Sequence, residues 1–383
     1  MRHFILATLF VIGTIGLTQA QITITADDFP EVGDTLFSAV DNLPTNIDVQ
    51  PTPGQHSWDF TSLQAPFTRR QIVRTAVQGP AFNLFPGADL LMETGATGDG
   101  YYNVENGRFE LIGFSGTDPL GIGLEVATPF SPPYLERRAP LNFFDVNQME
   151  SALLVAFDPD DLPIDLFSQL PISPDSLRVR VAINRLDAVD GYGTLTIPGG
   201  IYDVLREKRT EIREVRMDAK LPFVGWNDVT DIVIELVNFP TLTDQLGKDT
   251  ITTYNFYSNE AKEPIAIVTS DEDGQNVTSV EFKANDIVNN VQDLSRLKPG
   301  VYAFPNPAIV NVRFEFSNLP KGKYYLKIYN ILGVEVWHKA YDIDNNYIEK
   351  VEISQLRKGT YLYSLTNEKG KTVMTKRLVV VRP

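Results

Sequence analysis

From Gln21 to about Pro299 the chain never sustains a helical period. Its apolar residues come instead in short alternating runs, cut by the 25 Pro and 26 Gly that are spread along the 383 residues. Such runs are Gln21–Thr25, Gln71–Val77, Tyr101–Val104, Arg108–Ile112, Ser176–Ile183 and Thr194–Ile197. A period of two puts alternate side chains on opposite faces of a strand, and turn residues between runs force reversals. The pattern predicts an all-β region, a large β-sandwich or jelly-roll-like body over residues 21–290.

Three junctions read as hairpins. Glu105-Asn106-Gly107 carries the Asn-Gly pair that supplies two positive φ angles. Asp271-Glu272-Asp273-Gly274 separates Pro264–Val268 from Val277–Phe282, and Pro198-Gly199-Gly200 separates Thr194–Ile197 from Ile201–Arg206. The last strand continues through Thr210–Arg216, where charges on one face predict a solvated side. Two helical candidates remain, Leu162–Leu170 with Pro163 near its first position, and Asp231–Asn238, which is ambiguous between helix and strand. The Pro- and Asp-rich stretch 158–175 is the best candidate for an internal boundary.

Composition narrows the function classes. Apolar residues make up 43% and aromatics 10%, which excludes disorder as the main state. There is no Cys, so thiol catalysis and Cys-ligated metal are excluded. The start has the layout of a cleaved secretory signal over residues 1–20: Met1-Arg2-His3, an apolar stretch from Phe4 to Leu17, and Thr18-Gln19-Ala20. That apolar stretch is shorter than the ~20 residues that span a bilayer. Charge is uneven. Val301–Pro383 holds 13 Lys and Arg against 7 Asp and Glu, Arg2 adds one positive charge at the start, and the whole chain is −15, which leaves −22 on residues 21–300. Phosphate contacts need clustered Lys and Arg, so no nucleic-acid partner is expected.

Charge changes sign across Val291–Gly300, which reads as a linker. Beyond it the chain runs through Ala303-Phe304-Pro305-Asn306-Pro307, Tyr324–Gly333, Leu356–Tyr363 and Lys371–Val380. Seven short strands are predicted here: 302–304, 311–316, 323–329, 334–339, 347–353, 361–366 and 372–380. Gly322, Gly333, Gly359 and Gly370 punctuate them, and on the last strand Val373 is expected inward and Lys376-Arg377 near an exposed edge. This order of motifs resembles the type A C-terminal sorting domain of the type IX (Por) secretion system of certain Gram-negative bacteria. The resemblance covers residues 301–383 and rests on Pro305, Asn306, Pro307, Gly333, Gly359, Lys376 and Arg377. It implies a small Ig-like sandwich and a protein that crosses the periplasm to the outer surface or beyond. It further implies the secretion machinery and its sortase-like peptidase as partners, with attachment to surface lipopolysaccharide. The rest of the chain resembles no family.

Chemistry in residues 21–290 is sparse. After the signal only His56 and His338 remain, and no Gly-x-Ser-x-Gly elbow accompanies His56. His338, beside Trp337, reads as a packing residue. Asp158, Asp160, Asp161 and Asp165 offer oxygen ligands for calcium without the EF-hand register. Asp271–Asn276 faintly resembles a calcium loop. Tyr101, Tyr102, Trp58 and Trp226 offer rings for a sugar-stacking face. Asp34-Thr35-Leu36, Asp175-Ser176-Leu177 and Asp249-Thr250-Ile251 resemble the periplasmic O-glycan acceptor pattern, with Thr35, Ser176 and Thr250 as acceptors. No cofactor is expected. The favoured reading is a non-enzymatic cargo that binds a glycan or protein ligand or serves a structural role. The alternative is a secreted glycosidase-like hydrolase with paired carboxylates.

Overall fold

A computed structural model describes residues 21–380 apart from 43, 50–51, 66, 95–97, 118–124, 162–173, 237–244, 272–275, 285–299, 305, 307, 309–310, 331–332, 354 and 358. The expected signal peptide, the helical candidate Leu162–Leu170 and the linker up to residue 299 therefore lie outside the described residues.

The N-terminal region opens with β1 (Thr35–Asp41), β2 (Gly54–Asp59), β3 (Phe67–Ile72), β4 (Arg74–Thr75), β5 (Leu90–Thr94), β6 (Gly98–Glu105) and β7 (Arg108–Thr117). Then come β8 (Glu125–Arg138), β9 (Val146–Phe157) and two strands of 22 residues each, β10 (Ser176–Ile197) and β11 (Gly200–Leu221). Next are β12 (Gly225–Asp228), helix α1 (Thr230–Leu236), β13 (Gly247–Tyr257), β14 (Ala266–Ser270) and β15 (Val277–Lys283). The protein is nearly all β, as the alternation predicts. Gln21–Thr25 departs from expectation: it makes only an isolated bridge, Ile24 with Leu141.

Along the sheet the order is β3-β1-β15-β14-β13-β11-β10-β9-β8-β7-β6-β5-β4. Its two ends come back together. Arg69 Nη2 and Gln71 Nε2 of β3 donate to Glu93 O of β5 at 2.8 and 2.6 Å. Leu36 of β1 shares one apolar cluster with Leu90, Met92, Tyr102 and Phe109 from the far end. The sheet therefore curls around its own interior. The strands on either side of 158–175 are hydrogen-bonded neighbours, with Leu177–Ala188 of β10 opposite Val146–Phe157 of β9.

Two details follow from local chemistry. β8 meets β9 at a single register pair, Phe130 with Leu153. Pro132 and Pro133 have no N–H to give a ladder, and hydroxyls fill in. Thr128 Oγ1 donates to Leu154 O at 2.9 Å and Ser151 Oγ to Pro132 O at 2.8 Å. β2 lies parallel to β10 so closely that a Cβ on Gly193, whose φ is +140°, would sit 1.9 Å from His56 O.

The interior corrects one expectation. The face of β11 bearing Glu207, Arg209 and Glu211 points inward, and Glu211 is buried. Periodicity says which residues share a face; it does not say which face is wet.

The C-terminal module has β16 (Gly300–Phe304), β17 (Asn311–Asn330), β18 (Glu335–Glu352), β19 (Gly359–Asn367) and β20 (Thr372–Val380). Its order is β16-β17-β19-β20, with β18 against β17. The seven expected runs are all strand, but two pairs are continuous through bulges, for instance between Phe316 and Leu319. The start of β17 pairs with β16 and its end with β19, so one strand serves both halves. Val312, Phe314, Leu326, Ile328, Tyr363 and Leu378 lie in a core cluster drawn wholly from this module.

Candidate functional site

Near the start of the module, Asn306 clamps the last strand. Asn306 is buried, and its amide bridges β20: Nδ2 donates to Arg377 O at 2.8 Å and Oδ1 accepts from Val379 N at 2.6 Å. Ala308 N adds a bond to Val379 O at 2.8 Å. An Asn side chain here does what a neighbouring strand would do. Pro305 and Pro307 lie outside the described residues. Gly333, at φ +78°, closes the β17–β18 turn, with its N–H on Asn330 O at 2.9 Å. Gly359 has φ +147° and open space where a Cβ would go, so backbone conformation alone calls for Gly.

β20 faces inward through Met374, Lys376, Leu378 and Val380. Val373, which an inward reading of the strand would have favoured, is 36% exposed. Lys376 Nζ sits 3.7 Å from the Tyr302 ring centroid, a cation on an aromatic face. Burial pushes its ammonium down to about 8, against the pull of Asp41. Lys376 thus belongs to the packed row rather than to the expected exposed edge; Arg377 is on the other face.

Inside the N-terminal sheet lies a charged cluster that the sequence reading missed. Arg185 Nε pairs with Asp187 Oδ1 at 2.8 Å and Arg209 Nε with Glu207 Oε1 at 2.6 Å. Tyr134 OH donates to Glu211 at 2.7 Å, and Arg209 Nη2 bonds Glu136 O and Tyr257 OH. Glu136 keeps part of its surface exposed, yet burial raises its carboxyl, against the nearby Arg209 and Arg185. Burial likewise lifts the Tyr134 and Tyr257 hydroxyls well above their ordinary value. Alternating charge signs at every second residue of Glu207–Arg213 were the available signal: a row that neutralises itself is one that can be buried.

Two concavities open outside. A cleft of about 710 Å³ is lined by Arg74, Glu93, Asp99, Ser115 and Glu125. Strand register sets Glu93 opposite Asp99 and Asp99 opposite Ser115. Arg74 Nη2 holds Asp99 at 2.6 Å. A groove of about 440 Å³ at the β8–β9 joint is lined by Leu153, Leu154, Arg180 and Arg216.

The other expected site residues do not converge. His56 Nε2 is 2.7 Å from Thr52 O, and its ring is 5.2 Å from Trp58. Trp58, Tyr101 and Tyr102 are core residues, so the sugar-stacking strip is not formed from them. Trp226 is partly exposed, beneath the Arg178 guanidinium at 4.4 Å. His338 corrects the packing expectation: it is 66% exposed and pairs with Glu335 at 2.8 Å. Asp158 Oδ1 accepts from Asp160 N at 2.9 Å, Asp161 ends the same 3₁₀ turn, and Asp165 lies outside the described residues. Residues 272–275 of the other acidic loop are likewise outside them. No group of three metal-ligating side chains occurs among the described residues. Thr35, Ser176 and Thr250 each sit half-buried in a strand.

Residues 303–381 match the family model of the secretion system C-terminal sorting domain. The chain carries a type IX secretion C-terminal sorting domain, and such a tail implies delivery to the cell surface or outside. Among solved structures the chain is similar to a C-terminally truncated trimeric ectodomain of the C. elegans fusion protein EFF-1. Identity is 6% over 61% of this chain and 74% of that one, at a TM-score of 0.18. It is also similar to PorZ, an essential bacterial surface component of the type IX secretion system of Porphyromonas gingivalis. There identity is 10% over 73% of this chain and 51% of that one, at a TM-score of 0.17. Likeness this slight carries neither fold nor function to the chain. No curated protein matches it.

Proposed function

We propose that the chain is a surface or released protein whose residues 21–290 act by binding or as a structural component, not by catalysis. The observation that carries this reading is the division of labour in the cores. The module has its own apolar cluster and the family match, while the N-terminal region ties buried Asp187 and Glu207 to arginines. Catalysis by a carboxylate pair needs one group kept protonated beside one kept ionised. Asp99, in the larger cleft, is ion-paired with Arg74 at 2.6 Å, which commits its carboxylate to that pair. On this reading the signal peptide takes the chain to the periplasm and the module takes it across the outer membrane. A sortase-like peptidase then removes the module, and lipopolysaccharide attachment follows on some molecules. A glycan or a protein is the ligand.

One observation favours the hydrolase alternative, the placement of Glu93 opposite Asp99 in an open cleft. The test is to incubate the mature chain with a glycan array and with a panel of polysaccharides, following reducing-end release. Binding without release supports the proposal. Release that Glu93→Gln abolishes would establish the hydrolase.

A further inference from the structure

We infer that the end of β1 is a docking site for the sorting module, and that this site exists only when the N-terminal sheet is complete. Asp41 and Asn42 close β1, and although polar they are only 5% and 3% exposed. Asp41 accepts from Gln64 N within the N-terminal region, whereas Asn42 reaches the module. Asn42 Nδ2 donates to Ala303 O on β16, a hydrogen bond across 261 positions of sequence. Asp41 is the acidic group that acts on Lys376 of β20, and Lys376 in turn lies over Tyr302, the residue before Ala303. Asn42–Ala303 is the bond between the two parts, with Asp41 beside Asn42 and Lys376 over Tyr302 beside Ala303, and together these residues form one small polar latch.

Buried polar groups without partners are costly. A latch of this kind holds the module in one orientation rather than leaving it merely tethered. Its geometry depends on strands from opposite ends of the region. Asp41 pairs in register with Val280 of β15, the last strand before the linker. Ser38 and Glu281, 243 positions apart, are bonded at 2.5 Å. Gln64 N, just before β3, donates to Asp41 Oδ2 at 2.8 Å and fixes the carboxylate. Until β15 has paired with β1 this arrangement is not assembled, so a module docked there reports a finished cargo. Docking also covers Lys376 within β20. The inference concerns contacts within the folded chain and stands apart from the export reading, as does its test.

Zero-length carbodiimide crosslinking of the full mature chain, at dilution and with mass-spectrometric mapping, tests it. An Asp41–Lys376 crosslink is expected beside two internal references, Glu263–Lys283 in the N-terminal sheet and Glu335–Lys327 in the module, both ion pairs. Asn42→Ala, which leaves Ala303 O without its donor, is expected to lower the Asp41–Lys376 yield about tenfold and to leave both references unchanged. Val280→Pro, which breaks the β1–β15 ladder, is expected to abolish it while Glu335–Lys327 persists. Absence of the Asp41–Lys376 product when both references form would overturn the docking site. Its survival in Val280→Pro, where Glu263–Lys283 is lost, would overturn the dependence on a finished sheet.

Discussion

Replacing Asn306 with Ala removes the clamp on β20 without touching the apolar core. Two bonds disappear, and two backbone groups, Arg377 O and Val379 N, lose their partner. A buried group left unsatisfied costs about 1–3 kcal/mol. Arg377 and Val379 are half-buried, so water recovers part of this, and about 2–4 kcal/mol remains for the pair. A domain of this size has roughly 4–12 kcal/mol in total. The substitution therefore removes a large share of the module's stability and almost none of the cargo's, because the core cluster of the module contains no N-terminal residue. Hydrogen exchange on the full chain reads the two parts separately. Peptides from β17 are expected to lose about 2–4 kcal/mol of protection, and peptides from β10 to keep theirs. Equal losses in both, or less than about 1 kcal/mol in β17, would refute the reasoning.

Other expectations concern the N-terminal region. Arg185→Ala leaves buried Asp187 with Arg209 Nε at 3.6 Å in place of its bidentate partner and is expected to cost about 2–4 kcal/mol in urea unfolding; Arg185→Ala with Asp187→Ala should cost less than the two single changes added. Gly193→Ala drives a Cβ into His56 O at a positive φ and is expected to lower stability by at least about 2 kcal/mol, with Trp58 fluorescence reporting loosened β2 packing. Burial raises the hydroxyl pKa values of Tyr102, Tyr257 and Tyr363 in the fold. Their contribution is whole below the unfolded value of about 10 and is lost as pH rises above it, so the urea midpoint should fall from pH 9 to pH 11. Tyrosinate absorbance should then appear together with unfolding; ionisation at pH 10 in the intact fold would contradict the burial.

Much of the architecture could be read from local chemistry, because turn residues act locally. Asn106 and Gly107 take φ +53° and +71°, as an Asn-Gly hairpin requires. The module's seven runs were legible for the same reason. What escaped was non-local. Nothing in His56-Ser57-Trp58 announces a parallel partner in β10, since parallel pairing is fixed by a distant crossover. Asp231–Asn238, ambiguous by pattern, is helix as far as Leu236 among the described residues, with Thr230 and Val233 of α1 turned inward. Lys376 read as an edge residue by its charge, yet an aromatic face and an acid across the chain admit it to a packed row. Asp41 and Asn42 carry no motif at all. Their position was set by β15, which lies far along the chain.

Residues 301–383 are proposed to carry the export address. Surface proteolysis and fractionation of cells that make the chain with and without residues 376–383 tests it most directly. Full-length protein is expected at the surface or in the medium, and truncated protein folded but held in the periplasm. Truncated protein delivered outside as well as the full chain would contradict it.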